Sequence, residues 1–126
     1  MSNVFIPSTR ATVITRRTYQ RPTSDDGKQF ESWEETVARV IDHQAWLWER
    51  AVNRELNDLE YGELYDLEQL MLDRKVLMSG RTLWLGGTNV ARTREASQFN
   101  CSFTHVETVY DVVDVLWLLL QGKQTQ

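Results

Sequence analysis

The chain has 126 residues and a formal charge of -4, which is enough for one modest domain. Hydrophobic residues make up 41% and charged residues 25%, a composition that excludes a disordered or collagen-like chain. The single cysteine, Cys101, excludes a disulfide within the chain. Together with His43 and His105 at unrelated spacing, it does not form a zinc motif. One free cysteine fits a reducing, cytoplasmic setting.

No segment has the pattern of a membrane helix or a signal peptide. The longest apolar run, residues 112–120, is interrupted by Asp114 and is shorter than the roughly 20 residues that span a bilayer. The first ten residues lack a basic flank, an apolar core and a small-residue cleavage site. We therefore expect the protein to stay inside the cell, without a membrane partner.

Residues 1–30 carry five basic and two acidic side chains and predict an extended basic arm. This part contains both prolines and a polar turn at residues 24–27. The β-branched stretch at residues 12–15 favours a short extended segment.

The arm also carries three arginines around Tyr19, namely Arg16, Arg17 and Arg21. Such a cluster can bind nucleic acid through phosphate contacts and base stacking. In an acidic chain, however, three arginines more often form a solvated or ion-paired strip. The sequence therefore does not favour nucleic acid as a partner.

Residues 31–75 hold five basic and twelve acidic side chains and predict two helices. Ser32 and Glu35 form an S-x-x-E capping box, which indicates a helix start. The residues that recur at helical spacing after it are Trp33, Val37, Val40, Ile41, Gln44, Trp48 and Ala51. His43 has polar neighbours and is expected at the surface or at a cap.

A second helical pattern runs from residue 59 to about residue 78, weakened in its first turn by Gly62. Its many carboxylates are more simply explained as a solvated acidic face than as metal ligands.

The stretch from residue 79 to residue 89 has three glycines, Gly80, Gly86 and Gly87, around a short apolar core. This composition favours a turn, a brief extended piece and a second turn. It lacks both the GK[ST] ending and the G-x-G-x-x-G spacing of nucleotide-binding loops.

The last part of the chain reads as a strand followed by a helix. Residues 99–106 alternate in polarity, and Thr108 can cap a helix over residues 109–120. This helix is apolar on nearly all sides and must be covered. A strand and a helix form half of a βαβ unit, and we expect its second strand to be absent from this chain.

Cys101 admits two interpretations from its residue type alone. It can be an inert buried thiol, or it can be half of a redox pair. A redox pair needs a second sulfur within bonding reach, which this chain does not encode.

Three sequence blocks resemble one enzyme family. The block SGRTLWLGGTNVARTREASQFNCSF is similar to the segment around the first active-site cysteine of ribonucleotide reductases. The closest pattern is that of the monomeric, adenosylcobalamin-dependent class II enzymes, the ribonucleoside-triphosphate reductase type. Upstream, TRRTYQRP and ESWEETVARVID resemble two further elements of that family, in the same order.

The resemblance implies roles for individual residues. Cys101 corresponds to one cysteine of the pair that supplies two electrons when the substrate 2'-hydroxyl leaves. A thioredoxin-like reductant reopens the resulting disulfide, whose second cysteine lies outside this chain. Asn100 corresponds to a residue of the substrate pocket. Ser79 and Gly80 correspond to the turn near the substrate phosphates.

The resemblance also implies an α+β fold of three parts. Residues 1–30 form the basic arm, and residues 31–98 form a mostly helical N-terminal region with the glycine-rich substrate turn. Residues 99–126 form the first strand and helix of a ten-stranded α/β barrel. Met78 departs from the family, which usually has proline there, and the family's glycine-rich strand does not follow Gly122.

We therefore expect an N-terminal fragment of a ribonucleotide reductase that makes deoxyribonucleotides for DNA replication and is inactive without the rest of its barrel. A gene split, an intron, an intein or a frameshift would each explain the departure near Gly122. The implied cofactor is adenosylcobalamin, with its site outside this fragment and no metal site within it. The implied partners are the remainder of the reductase, a ribonucleotide and a thioredoxin-like reductant. A phage source would place the protein in the host cytoplasm.

Two other function classes remain as alternatives. The chain can be a non-catalytic helical interaction module that docks through its apolar helix at residues 112–120. Less favoured is a nucleic-acid-binding domain that uses the arginines of the arm.

Overall fold

The computed structural model describes residues 6–122 and 124–125. Most of these residues are helical, and two short strands complete the secondary structure. The helices are α1 (Thr9–Thr18), α2 (Trp33–Val52), α3 (Asp58–Leu72), α4 (Gly80–Leu85), α5 (Asn89–Thr93), a 3-10 helix (Glu95–Gln98) and α6 (Val109–Leu120). The strands are β1 (Cys101–Ser102) and β2 (Gln124–Thr125). The chain forms two compact units, of which the first ends at Gly86 and the second begins at Gly87.

Helix α1 replaces the extended segment that was predicted at residues 12–15, so that prediction is wrong. Ser8 caps the helix, because its Oγ accepts a hydrogen bond from the Ala11 N–H at 3.2 Å. The β-branched residues prefer strands mainly where they pack on a pleated surface, and here the local cap supports a helix instead. The arm is therefore helical over Thr9–Thr18.

A closed loop joins α1 to α2. The predicted polar turn is confirmed, since the Gly27 N–H donates to the Ser24 carbonyl at 3.0 Å and Gly27 has φ of +67°. The Glu31 N–H donates to the Arg21 carbonyl at 2.8 Å and closes the base of the loop. Glu31 is thereby fixed at the entrance of α2.

Helix α2 begins where the capping box predicts. Ser32 Oγ accepts from the Glu35 N–H at 3.1 Å, and the Glu35 carboxylate accepts from the Ser32 N–H at 2.6 Å. The apolar side of the helix enters the core cluster of the first unit, which consists of Trp33, Val37, Val40, Met71 and Leu83.

His43 does not lie at the surface, so the sequence-based expectation is wrong. The side chain is only 1% exposed and stacks on Trp46 with the ring centroids 5.5 Å apart. Its position three residues after the buried Val40 places it on the same side of α2. A histidine ring is flat and largely carbon, and it packs well against a neighbouring aromatic ring.

Helix α3 is shorter than its sequence pattern and ends at Leu72, not near residue 78. Arg74 adopts the left-handed conformation with φ of +55°, and its N–H donates to the Met71 carbonyl at 2.9 Å. A left-handed residue just after a helix ends it by turning the chain back over its last carbonyls. Apolar spacing continues past this point, which explains why periodicity alone overestimates the length.

The second unit contains a small parallel strand pair. Cys101 pairs with Gln124 and Ser102 with Thr125, so a second strand lies within this chain, contrary to expectation. Strand β1 covers only two of the eight residues that were predicted as a strand. Parallel strands require a crossover connection, and α6 lies between these two strands in the chain.

Helix α6 has the predicted limits and the predicted cap at Thr108. It has no buried residue, and Val113, Leu116 and Trp117 are each more than half exposed. Across residues 6–122 and 124–125, we find no helix with both the length and the apolar content needed to cross a membrane.

Candidate functional site

The glycine-rich segment after α3 is helical at its centre. Residues Gly80–Leu85 form α4, so the predicted brief extended piece is wrong. Ser79 caps the helix, with its Oγ 3.4 Å from the Thr82 N–H and 2.9 Å from the Thr82 hydroxyl. Leu83 and Leu85 are buried, and this burial stabilises a helix in a segment whose glycines suggest turns.

Gly80, at the start of α4, lies against an aromatic ring. A Cβ at this position would lie 3.3 Å from Tyr19 Cε1 and 3.6 Å from the Tyr19 hydroxyl oxygen. Tyr19 in turn packs against the core cluster of the first unit. Glycine therefore permits the close approach of Tyr19 to the predicted substrate turn.

An arginine from α2 contacts the other end of α4. Arg39 donates from Nη2 to the Leu83 carbonyl at 3.0 Å and from Nη1 to the Gly86 carbonyl. The last carbonyls of a helix lack partners within the helix, and a cation is favourable there. Arg39 thus caps the C-terminal end of α4.

Arg39 is also paired with Glu31. Its Nε lies 2.7 Å from Glu31 Oε1 and its Nη2 lies 2.9 Å from Glu31 Oε2, a bidentate arrangement. Glu31 further accepts from the Arg21 N–H at 3.1 Å and from the Thr36 hydroxyl at 3.1 Å. Burial raises the pKa of Glu31, but the hydrogen bonds from Arg39 and Arg21 outweigh burial and hold the pKa below its ordinary value of 4.5.

Cys101 and Asn100 lie in the second unit, at the start of β1. Both residues are exposed. Exposure contradicts the interpretation of Cys101 as a buried, inert thiol. An accessible sulfur is a requirement of thiol-disulfide exchange.

The four predicted site residues therefore form two pairs of chain neighbours. Ser79 and Gly80 belong to the first unit, and Asn100 and Cys101 belong to the second. The sequence analysis assigned no role to Arg39 or Glu31. A signal for them exists, since both lie within the ESWEETVARVID element, next to its capping box and apolar stripe.

The described residues contain no cluster for a metal ion, and the groove of the second unit has no histidine or cysteine that could bind the cobalt of adenosylcobalamin. Residues 6–122 and 124–125 contain no group of three His, Cys, Asp or Glu side chains that could hold a metal ion. The second unit has an open groove of about 620 Å³ between the 3-10 helix region and α6. Its lining consists of Thr93, Arg94, Glu95, Ala96, Trp117, Leu120 and Gln121, a set without histidine or cysteine.

Comparison with known proteins identifies relatives of the chain. It is 34% identical over 98 residues to an adenosylcobalamin-dependent ribonucleoside-triphosphate reductase of Lactobacillus gasseri, a match that covers 75% of this chain and 13% of that protein. It is 36% identical over 92 residues to a putative adenosylcobalamin-dependent ribonucleoside-triphosphate reductase of Mycobacterium phage D29, covering 71% of this chain and 11% of that protein. The reductase of Lactobacillus leichmannii is 33% identical over 97 residues.

The chain thus spans about an eighth of the length of these curated relatives. No solved structure matches. The family model of the ribonucleotide reductase alpha domain matches residues 3–88, which is more than half of the chain. The chain therefore belongs to the ribonucleotide reductase alpha domain family.

Proposed function

We propose that this chain is the N-terminal part of an adenosylcobalamin-dependent ribonucleotide reductase, which reduces ribonucleotides to deoxyribonucleotides for DNA synthesis. The observation that carries the proposal is the family match over residues 3–88, together with relatives that are adenosylcobalamin-dependent ribonucleoside-triphosphate reductases. Because the chain spans 13% of such a relative, turnover requires the remainder of the reductase polypeptide. The assembled enzyme works in the cytoplasm, or in the host cytoplasm if the gene belongs to a phage.

Cys101 is the proposed redox residue. Its thiol and a second thiol from the remainder together lose two electrons and two protons and form a disulfide. The substrate gains these equivalents when its 2'-hydroxyl leaves as water, so that atoms and electrons balance. A thioredoxin-like dithiol then reduces the disulfide by exchange. The exposure of Cys101 supports this role, because both exchange partners must reach the sulfur.

Ser79, Gly80 and Asn100 are the proposed substrate-binding residues. The first turn of a helix directs backbone N–H groups outwards, and a neighbouring hydroxyl adds a further donor for phosphate oxygens. Ser79 is exposed at the cap of α4, which supports this assignment. Asn100 is exposed beside Cys101 and can donate from its side-chain amide.

The parallel pair β1 and β2 supports the proposal that the second unit begins an α/β barrel of ten strands. Helix α6 connects the two strands and leaves most of its apolar surface exposed. Helices on the outside of such a sheet pack against it and against their neighbours. We propose that further strands and helices of the same reductase cover α6.

Adenosylcobalamin supplies the radical chemistry when it is bound. Since the groove of the second unit has no histidine or cysteine for its cobalt, we propose that the remainder of the reductase holds this cofactor. Within this chain, the residues of the proposed site bind the nucleotide and exchange electrons through Cys101.

The test is reconstitution of the chain with the remainder of the reductase, adenosylcobalamin, a ribonucleotide and a thioredoxin-like reductant. We expect deoxyribonucleotide to form, and its absence would contradict the proposal. Cys101→Ser should eliminate turnover with the thioredoxin-like reductant, because one sulfur of the pair is missing. Because Cys101 is the sole cysteine of the chain, no second cysteine can serve as the control. Ser102→Ala, which changes its partly buried neighbour, is the matched control and should retain turnover.

A non-catalytic interaction module is the alternative, and the exposed apolar surface of α6 favours it. Such a module would bind a partner through α6 whether or not Cys101 is present. Reconstituted activity that depends on Cys101 would exclude this alternative. Activity absent from every mixture, with partner binding retained, would support it.

A further inference from the structure

Helix α4 has only six residues, too few to maintain its own orientation through internal hydrogen bonds. Its position must therefore come from contacts with other elements. At its C-terminal end, the carbonyls of Leu83 and Gly86 both accept hydrogen bonds from Arg39 of α2. One guanidinium thus holds two points at the same end of this helix.

The guanidinium of Arg39 is itself held rigidly. Its bidentate pair with Glu31 is shielded from solvent, since the two side chains are 15% and 12% exposed. Glu31 also accepts from the Arg21 N–H and the Thr36 hydroxyl, so its carboxylate cannot rotate without losing several bonds. A planar guanidinium in a bidentate pair has one strongly preferred orientation, which a lysine ammonium does not share.

The segment that precedes Glu31 contacts α4 at two further points. The Tyr19 ring lies beside Gly80 at the N-terminal end, and the Arg21 guanidinium lies 5.9 Å from the centroid of the Trp84 ring. Together with Arg39, these contacts hold the helix at its start, middle and end. Arg39 makes the hydrogen bonds among these contacts, and Glu31 holds the Arg39 guanidinium in the orientation that makes them.

We propose that Arg39 and Glu31 are positioning residues for the substrate turn. They fix the orientation of α4 and thereby set the direction in which Ser79 and Gly80 present their donors to the substrate phosphates. This inference rests on the proposed function of that turn. Neither residue contacts the substrate, and the effect passes through the carbonyls of Leu83 and Gly86.

The first test is amide hydrogen exchange of the whole chain, with Arg39→Lys and Glu31→Gln compared with wild type. We expect exchange in residues 79–88 to become about tenfold faster in Arg39→Lys, the size expected from losing one or two hydrogen bonds. Exchange in α3 should not change. Arg54→Lys is the matched control, because Arg54 also forms a bidentate pair with a glutamate, Glu60, at 2.7 and 2.8 Å, but the Arg54 side chain itself is 49% exposed.

Equal exchange of residues 79–88 in Arg39→Lys and wild type would overturn the inference, as would faster exchange throughout the first unit. If Arg39→Lys does not fold by circular dichroism, Glu31→Gln decides the matter. The Glu31→Gln variant retains the hydrogen bonds from Arg39 to the carbonyls of Leu83 and Gly86 but lets the guanidinium rotate more freely. Amide exchange should therefore rise about threefold in residues 79–88 alone.

The second test is steady-state kinetics of the reconstituted reductase. We expect Arg39→Lys to raise KM for the ribonucleotide about tenfold with a smaller change in kcat, because misplaced donors weaken binding. A loss of active enzyme alone would lower kcat and leave KM unchanged, and that result would overturn the inference. If wild type makes no deoxyribonucleotide, the proposed function fails, whereas the exchange contrast still decides whether Arg39 orients α4.

Discussion

Gly86 occupies a position where the fold has no room for a side chain. A Cβ there would lie 2.5 Å from the Thr82 carbonyl oxygen and 3.4 Å from His43 Cδ2. The Gly86 carbonyl is at the same time an acceptor for Arg39. Glycine is required at this position because the Thr82 carbonyl and the His43 ring lie too close for a side chain. Sequence composition identifies the site only as a turn.

We expect Gly86→Ala to destabilise the chain by about 1–3 kcal/mol, because the carbonyl of Thr82 must move. The matched control is Gly62→Ala in α3, where a Cβ meets nothing within 4 Å. That change should stabilise by about 0.5–1 kcal/mol, because alanine favours a helix interior. Urea denaturation measures both values, and equal effects of the two variants would contradict the expectation.

Glu31 makes the stability of the first unit sensitive to acid. Its folded-state pKa lies below the ordinary value of 4.5, so in acid the unfolded state binds more protons at this residue than the folded state does. The stability that Glu31 contributes is present above about pH 4.5 and is lost as the pH falls through its folded-state pKa.

We expect Glu31→Gln to lower stability at neutral pH and to flatten its dependence on pH below about 4.5. Glu63→Gln, which changes an exposed carboxylate of α3, is the control and should retain the wild-type slope. Thermal unfolding between pH 7 and pH 3 measures both slopes. An unchanged slope in Glu31→Gln would show that other carboxylates dominate the acid response.

At the scale of elements, the two helices that were predicted from a cap, α2 and α6, lie where the sequence predicts them. The capping boxes at Ser32 and Thr108 mark the starts of α2 and α6. A capping box uses residues three apart in the chain, so no distant contact is needed to form it. The elements that depend on tertiary contacts differ from their predictions. Helix α4 was predicted as an extended piece, and β2 was predicted to be absent.

We expect Ser32→Ala to destabilise the chain by about 1 kcal/mol, because the Glu35 N–H loses its acceptor. Ser32→Thr retains a hydroxyl at the cap and should lose less than half of that amount. Guanidinium denaturation followed by far-ultraviolet circular dichroism measures the difference. Equal losses in the two variants would mean that the hydroxyl does not stabilise α2.

At the scale of the whole molecule, the two units differ in how much apolar surface they bury. The first unit has a buried cluster that includes Val37, Val40 and Met71, each 0% exposed. In the second unit, α6 has no buried residue and Val113 and Leu116 are more than half exposed. A contiguous apolar surface of this kind marks an interaction site, as the proposed barrel requires.

We expect the double change Val113→Lys and Leu116→Lys to reduce the binding of a fluorescent apolar dye and the self-association of the chain. These residues are neighbours on one side of α6, so two charges interrupt its apolar surface. The free energy of unfolding should change by less than about 0.5 kcal/mol, because neither side chain is buried. Leu59→Lys, at an exposed leucine of α3, is the control, and an equal reduction in that variant would contradict the expectation.

The amino-acid sequence alone determined the family resemblance, the capped helices α2 and α6, and the choice of Cys101, Asn100, Ser79 and Gly80 as site residues. These features depend on residue type and on short spacings along the chain. Family membership is confirmed, whereas the roles of the four site residues remain predictions.

Only the tertiary structure decided the features that depend on residues distant in the chain. It shows that His43 is buried, that Gly80–Leu85 is helical and that Cys101 is paired with Gln124. It also shows that Arg39 holds the carbonyl end of α4. Burial and strand pairing depend on distant residues, and the Arg39 guanidinium contacts a carbonyl 44 residues further along the chain. No local pattern of apolar or glycine residues therefore encodes these features.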